Sequence, residues 1–151
     1  MNIHDTSDRQ VLLLDAHPST AYPLSAALEA HGYRVMLAAN AWSAVALACH
    51  AQPDVAVLDL TQPESDGWQA MERLLAIFPA LPCIVRVADS TCAGHALSAG
   101  AAQCLLLPIH PRHLLAMVDA ILAQEAAILG KRRAAFPPRH FTPPALHTNA
   151  A

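Results

Sequence analysis

The sequence predicts an α/β fold: a doubly wound, five-stranded parallel sheet with helices on both faces. Two observations carry that expectation. Five short runs are predominantly apolar, without the polar alternation of a sheet that keeps one face in water. Each run is followed by a segment with apolar residues at three-to-four spacing, bounded by Gly, Pro or Asn. Strand–helix repeats of this kind bury a parallel sheet between helical layers, and right-handed crossovers make the arrangement doubly wound.

Taken in order, Gln10 to Asp15 is the first strand, and Pro18 opens a helix through Leu24, Leu28 and Ala30 that stops at His31-Gly32. Tyr33 to Ala38 is the second strand. Asn40 caps the next helix, for which Trp42, Val45, Ala46 and Cys49 supply the expected inner face, and Pro53 lies beyond its end. Asp54 to Asp59 (DVAVLD) is the third strand, and the loop LTQPESDG leads to a helix from Trp68 to about Phe78 with Leu74, Leu75 and Phe78 inward. Pro82 to Val87 (PCIVRV) is the fourth strand, followed by a helix from Ser90 to Ala99 that ends on Gly100. Gln103 to Leu107 is the fifth strand. Pro111 pre-sets the first turn of a last helix striped by Leu114, Leu115, Val118, Ile121 and Leu122. In such folds ligands sit outside the carboxyl ends of the strands, which makes Asp15, Asp59 and Val87 the positions of interest.

Bulk properties narrow the class. The chain has 151 residues, enough for one core with a short appendage. It is 54% hydrophobic and 14% charged, yet no apolar run reaches the roughly 18 to 20 residues that cross a bilayer. Residues 1–9 are polar, without a signal-peptide stretch, and are expected to be disordered; a cytoplasmic protein is the expectation. Cys49, Cys83, Cys92 and Cys104 lie far apart inside apolar segments and read as buried hydrophobes, with no disulfide framework or zinc spacing. The gaps Cys92 to His95 and His110 to His113 suit a metal, but no second pair completes four ligands. Residues 1–125 carry five arginines against all 12 acids, a net charge of −7, whereas residues 126–151 hold Lys131, Arg132, Arg133, Arg139 and no acid. That last stretch reads as a helix extension (AAILG) followed by a Pro-rich basic tail whose two proline pairs prevent a helix, leaving it disordered or free to dock an acidic partner or nucleic acid.

The segment PDVAVLDLTQPESDGW resembles the phosphorylation-site segment of response regulator receiver domains. Asp59, Leu60, Pro63, Asp66 and Gly67 stand where that family has a strand-ending aspartate, Leu, Pro and then Asp-Gly. VLLLDAHP resembles the family's first strand, which ends in two acids and in one large subfamily continues with His-Pro; PCIVRVA and GAAQCLLLPIHP resemble its fourth and fifth strands. The likeness covers residues 10 to about 125. It implies the CheY-like, flavodoxin-like (βα)5 fold with strand order 2-1-3-4-5, and a signalling module in place of an enzyme.

The chemistry that the resemblance implies is transfer of a phosphoryl group from a histidine kinase to the carboxylate of Asp59. The family holds Mg2+ with an acidic pair, the acceptor and a backbone carbonyl two residues later. Here the pair is matched by Asp15 and Ala16, so its second member is lost, and Thr61 offers the carbonyl. The hydroxyl that contacts phosphate falls on Val87, the lysine on Leu107, and the aromatic that swings inward on Cys104. Lys131 is the chain's only lysine, so no shift of alignment restores that group. His17 and Arg86 are the candidates to compensate. Arg86 lies in an apolar strand and needs a carboxylate partner; alternation puts it opposite Val87, which favours a salt bridge to a helix over a contact with Asp59.

The resulting expectation is a stand-alone, degenerate receiver in two-component signalling, acting through protein contacts with phosphorylation weakened or absent, and with at most weak Mg2+. Histidine kinases, output proteins and a second copy are the expected partners, the copy docking on the face of the fourth helix, fifth strand and last helix. No DNA-binding module is expected after residue 125, and no membrane contact. The first alternative is a phosphorylatable single-domain regulator that uses Asp59. A small-ligand binder is more remote, because DAHPST lacks the glycine of a cobalamin motif and no GxGxxG follows the first strand.

Overall fold

The computed structural model describes residues 8–135, with side chains described through residue 128. The expectations for residues 1–7 and 136–151 therefore lie outside the described residues. The elements are β1 (Gln10–Leu14), α1 (Pro18–Ala30), β2 (Arg34–Ala38), α2 (Ala41–Ala51), β3 (Val55–Asp59), a 3-10 turn (Pro63–Ser65), α3 (Gly67–Ile77), β4 (Cys83–Val87), α4 (Ser90–Ser98), β5 (Gln103–Leu106) and α5 (Pro111–Ala135). All four ladders are parallel and the sheet order is β2-β1-β3-β4-β5, as the resemblance implied.

Alternation along the strands divides the core into two layers. Leu12, Leu14, Ala56, Leu58, Val85 and Val87 face α2, α3 and α4, packing on Ala44, Ala48, Met71, Leu74 and Ala96. Val11, Leu13, Val55, Val57, Ile84 and Leu105 face the other way and pack on Leu24 and Leu28 of α1 and on Leu114 and Val118 of α5. Leu12, Leu13 and Leu14 are fully buried, each burial contributing about 1.5–3 kcal/mol. Strands covered on both faces have no use for alternation with polar residues, which is why the runs of the central strands β1, β3 and β4 read as mostly apolar.

Two expectations are corrected. The inner face of α2 is Ala41, Ala44 and Ala48, whereas Trp42 is 76% exposed and Cys49 is exposed. Apolar residues surround this helix on all sides, so periodicity alone does not choose a face; the small alanines win because they let the helix approach β1 and β2 closely. The last helix is also longer than expected. It runs through positions 126–135 because AAILGKRRAA contains helix formers and only one glycine, and the first proline pair comes after it.

Local signals set the ends that matter for function. Asn40 accepts the Ser43 amide while the Ser43 hydroxyl approaches the Asn40 amide, a capping box that starts α2. Asp89 caps α4 through the Cys92 amide. The Tyr33 hydroxyl donates to Asp119, and His31 Nε2 lies 2.8 Å from the other oxygen of that carboxylate, which ties the end of α1 to α5. The Leu107-Pro108 peptide bond is cis.

Candidate functional site

The carboxyl ends of β1, β3 and β4 meet at one buried cluster. Asp15 follows β1 and is 3% exposed, Asp59 closes β3 at 1%, and Arg86 is the penultimate residue of β4 at 5%. In the β3–β4 ladder Asp59 is the register partner of Arg86, and register partners project to the same side of a sheet. Asp15 follows Leu14 just as Asp59 follows Leu58, so both carboxylates share one phase. The guanidinium reaches both: Nη2 lies 2.7 Å from Oδ2 of Asp15 and 3.4 Å from Oδ2 of Asp59.

This overturns the expected ion pair between Arg86 and a helix. Val87 does lie in the opposite layer, packed in the core with Leu14 and Leu58. Asp59, however, shares the side of Arg86 and not that of Val87, and the arginine stem is long enough to span from β4 past β3 to the end of β1.

Each carboxylate is further held by groups of its own chain. Asp59 Oδ1 accepts the Thr61 amide at 2.9 Å and the Thr61 hydroxyl at 2.5 Å, and Oδ2 accepts the Ser65 hydroxyl at 3.3 Å. Asp15 Oδ1 accepts the His17 amide at 2.9 Å, and Oδ2 accepts the Thr20 hydroxyl in addition to the guanidinium. Ser65, itself fully buried, also accepts the Ala16 amide at 3.1 Å and so ties the β1–α1 loop to the β3–α3 loop. The second loop passes this close because residue 67 is glycine: a Cβ there would stand 2.1 Å from the Asp59 carbonyl oxygen.

The remaining sequence-predicted positions differ in what they touch. Thr61 serves Asp59 with its amide and hydroxyl. His17 gives its backbone N–H to Asp15, while its imidazole Nε2 is 3.8 Å from Glu64 Oε2. Leu107 is 45% exposed, and its amide donates to the Val87 carbonyl. Cys104 is half-buried with its thiol donating to the Ala93 carbonyl at 3.6 Å. Thr20 and Ser65 were not singled out from sequence. Thr20 lies in the first turn after an aspartate and Ser65 in the loop after another, but hydroxyls at such places are too common to serve as a signal.

Chemically, the cluster holds one fixed cation against two carboxylates, with hydroxyl and amide donors on the remaining lone pairs. Buried charges are tolerated when paired and hydrogen-bonded in this way. The positions expected to offer phosphate a hydroxyl and an ammonium present a buried valine and an exposed leucine instead.

Comparison with known proteins fits this architecture. The response regulator receiver domain model matches residues 11–119. The chain is 34% identical over 118 residues to Protein PilH of Pseudomonas aeruginosa, covering 76% of this chain and 98% of that one. Among solved structures, a CheY-like receiver domain protein from Methanospirillum hungatei superposes with a TM-score of 0.72 at 24% identity, over 79% of this chain and 97% of that one. Chemotaxis protein CheY4 of Vibrio cholerae gives 0.69 at 24% identity, over 74% and 97%. At that identity the two structures speak for the fold alone.

Proposed function

The chain belongs to the response regulator receiver family, and on that premise we propose that it is an atypical receiver in two-component signalling, with phosphorylation of Asp59 weakened or absent and output through contacts with other proteins. One observation carries the reading. The Asp59 carboxylate is enclosed by the Thr61 and Ser65 donors and by the Arg86 guanidinium, and the residues that match the family's phosphate-contacting hydroxyl and lysine are Val87 and Leu107. The lost ammonium alone removes a charge-assisted hydrogen bond of roughly 1.5–3 kcal/mol. A phosphoryl group on Asp59 would also displace contacts that are already made.

Such a domain works as a binding module and not as an enzyme, and its place is the cytoplasm. Among the described residues no helix is long and apolar enough to cross a membrane. Kinases and output proteins of the same network are the partners. A second copy docks on the face of α4, β5 and α5, where β5 is an edge strand and Leu97 and Leu106 are each 51% exposed.

The test is intact-mass analysis of the full chain after incubation with acetyl phosphate and Mg2+, beside Asp59→Asn. The expected result is no gain of a phosphoryl group on either protein. Stoichiometric phosphorylation of the wild type that Asp59→Asn abolishes would establish the alternative, a phosphorylatable single-domain regulator.

A further inference from the structure

Receiver chemistry places a divalent cation between the carboxylates that end β1 and β3, and the residues of this chain do not fit one. Ala16 supplies no ligand. Among the described residues no group of three or more His, Cys, Asp or Glu is placed to hold a metal ion. The two carboxylates that remain, Asp15 and Asp59, turn one oxygen each, Oδ2, toward the same guanidinium nitrogen of Arg86. Their other oxygens, Oδ1, are taken by the His17 amide and by Thr61.

Magnesium demands near-octahedral oxygen ligands at about 2.0–2.1 Å and gives up its waters reluctantly. A site that binds it must offer free carboxylate oxygens and no competing positive charge. Here the oxygens converge on N–H donors, and the charge is already present.

We infer that the Arg86 guanidinium is a built-in replacement for the divalent cation: it neutralises the carboxylate pair and fixes the ends of β1, β3 and β4 without metal. An arginine suits that position for three reasons. It carries a positive charge, its planar fork directs donors at carboxylates, and as part of the chain it cannot dissociate. Register explains why β4 provides it, since position 86 is the β4 residue paired with Asp59. The inference rests on the family reading for the place where the cation would sit, but it makes a separate statement: Ala16 is not the only reason the site refuses metal, because Arg86 already holds its place.

The experiment is a Mn2+ titration of the full chain, read by the electron spin resonance of free Mn2+ and by Trp68 fluorescence, on wild type, Ala16→Asp, Arg86→Gln and the double variant Ala16→Asp/Arg86→Gln. Wild type is expected to show no saturable site up to about 10 mM, above the range of weak protein cation sites. Ala16→Asp, with the third carboxylate restored but Arg86 kept, is expected to stay near wild type. Loss of Arg86 in either background is expected to tighten binding by at least about tenfold, a change of about 1.4 kcal/mol. Adding Asp59→Asn to either of these backgrounds should abolish the gain.

Saturable millimolar binding by wild type would overturn the inference. So would full binding by Ala16→Asp, because that would make the missing carboxylate the whole cause. This second comparison keeps Arg86 and so does not depend on the Arg86→Gln proteins folding. Failure here is separable from failure of the functional reading: metal binding without phosphorylation removes only the guanidinium role, and phosphorylation without metal binding removes only the functional reading.

Discussion

Removing the arginine from the buried cluster should be among the most damaging single changes this fold can suffer. In Arg86→Met the stem is replaced by an apolar chain that β4 can accommodate, but Asp15 and Asp59 lose their shared cation. Their side chains are 0% and 2% exposed, so water cannot substitute for it. Breaking a buried ion pair on one side costs about 3–5 kcal/mol. The amide and hydroxyl donors on both carboxylates are still in place, which argues for the lower end, about 3 kcal/mol. A domain of this size has a total of roughly 5–15 kcal/mol, so the variant should still fold, with about a fifth to three fifths of its stability lost, and melt roughly 10 °C lower. Urea unfolding followed by circular dichroism and tryptophan emission measures it, with an unchanged m-value as evidence that the same surface is exposed. Asp15→Asn in the Arg86→Met background should cost less than it does in wild type, with an interaction energy of about 1–3 kcal/mol between the two sites. A loss below about 1 kcal/mol, the level of an exposed surface pair, or simple additivity of the two substitutions, would refute the cluster as described.

Three further outcomes concern Gly67, Asn40 and Tyr33. Gly67→Ala should destabilise by several kcal/mol or prevent folding, since its Cβ would meet the Asp59 carbonyl oxygen at 2.1 Å and Leu60 at 2.7 Å; an expressed, wild-type-like unfolding curve would contradict that packing. Asn40→Ala should cost about 1 kcal/mol through loss of the α2 cap, read in the same denaturation assay. Burial first, and then the hydrogen bond to Asp119 and its charge, push the Tyr33 phenol well above the ordinary tyrosine range. The unfolded chain releases that proton above about pH 10 while the folded chain keeps it, so stability should fall as pH rises through that region, and Asp119→Asn should reduce the slope.

The sheet was legible because both faces of its three central strands, β1, β3 and β4, are buried. That condition writes continuous apolar runs into the sequence, with Gly32 and Gly100 marking helix ends. Asp15, Asp59 and Arg86 could each be noticed as charged residues at or near strand ends. What could not be read was their meeting, because it depends on which strands lie side by side and on their phase: Arg86 and Asp15 are 71 positions apart in the chain. The same limit explains α2. An alanine face and a Trp42–Val45–Cys49 face fit its period equally well, and only the proximity of the sheet favours the smaller residues. Thr20 and Ser65 were silent because a hydroxyl becomes a site residue only through the acid it happens to reach.

A phosphorylation switch needs two conformations and a group that binds one of them better, since a ligand with equal affinity for both shifts nothing. In a receiver that preference would come from contacts made only to the phosphoryl oxygens, at the positions held here by Val87 and Leu107, and from an aromatic at the position of Cys104. On the proposed reading, a valine, a leucine and a cysteine at those positions offer a phosphoryl group on Asp59 neither a charge-assisted hydrogen bond nor an aromatic to reposition. The unmodified state meanwhile gains the Thr61, Ser65 and Arg86 contacts, which a phosphoryl group would disrupt. Both changes act in the same direction, lowering one state and removing the reward for the other. On the proposed reading the chain should present its α4, β5 and α5 surface in a single arrangement, so a partner that recognises that surface should bind with the same affinity whether or not phosphodonor and Mg2+ are supplied.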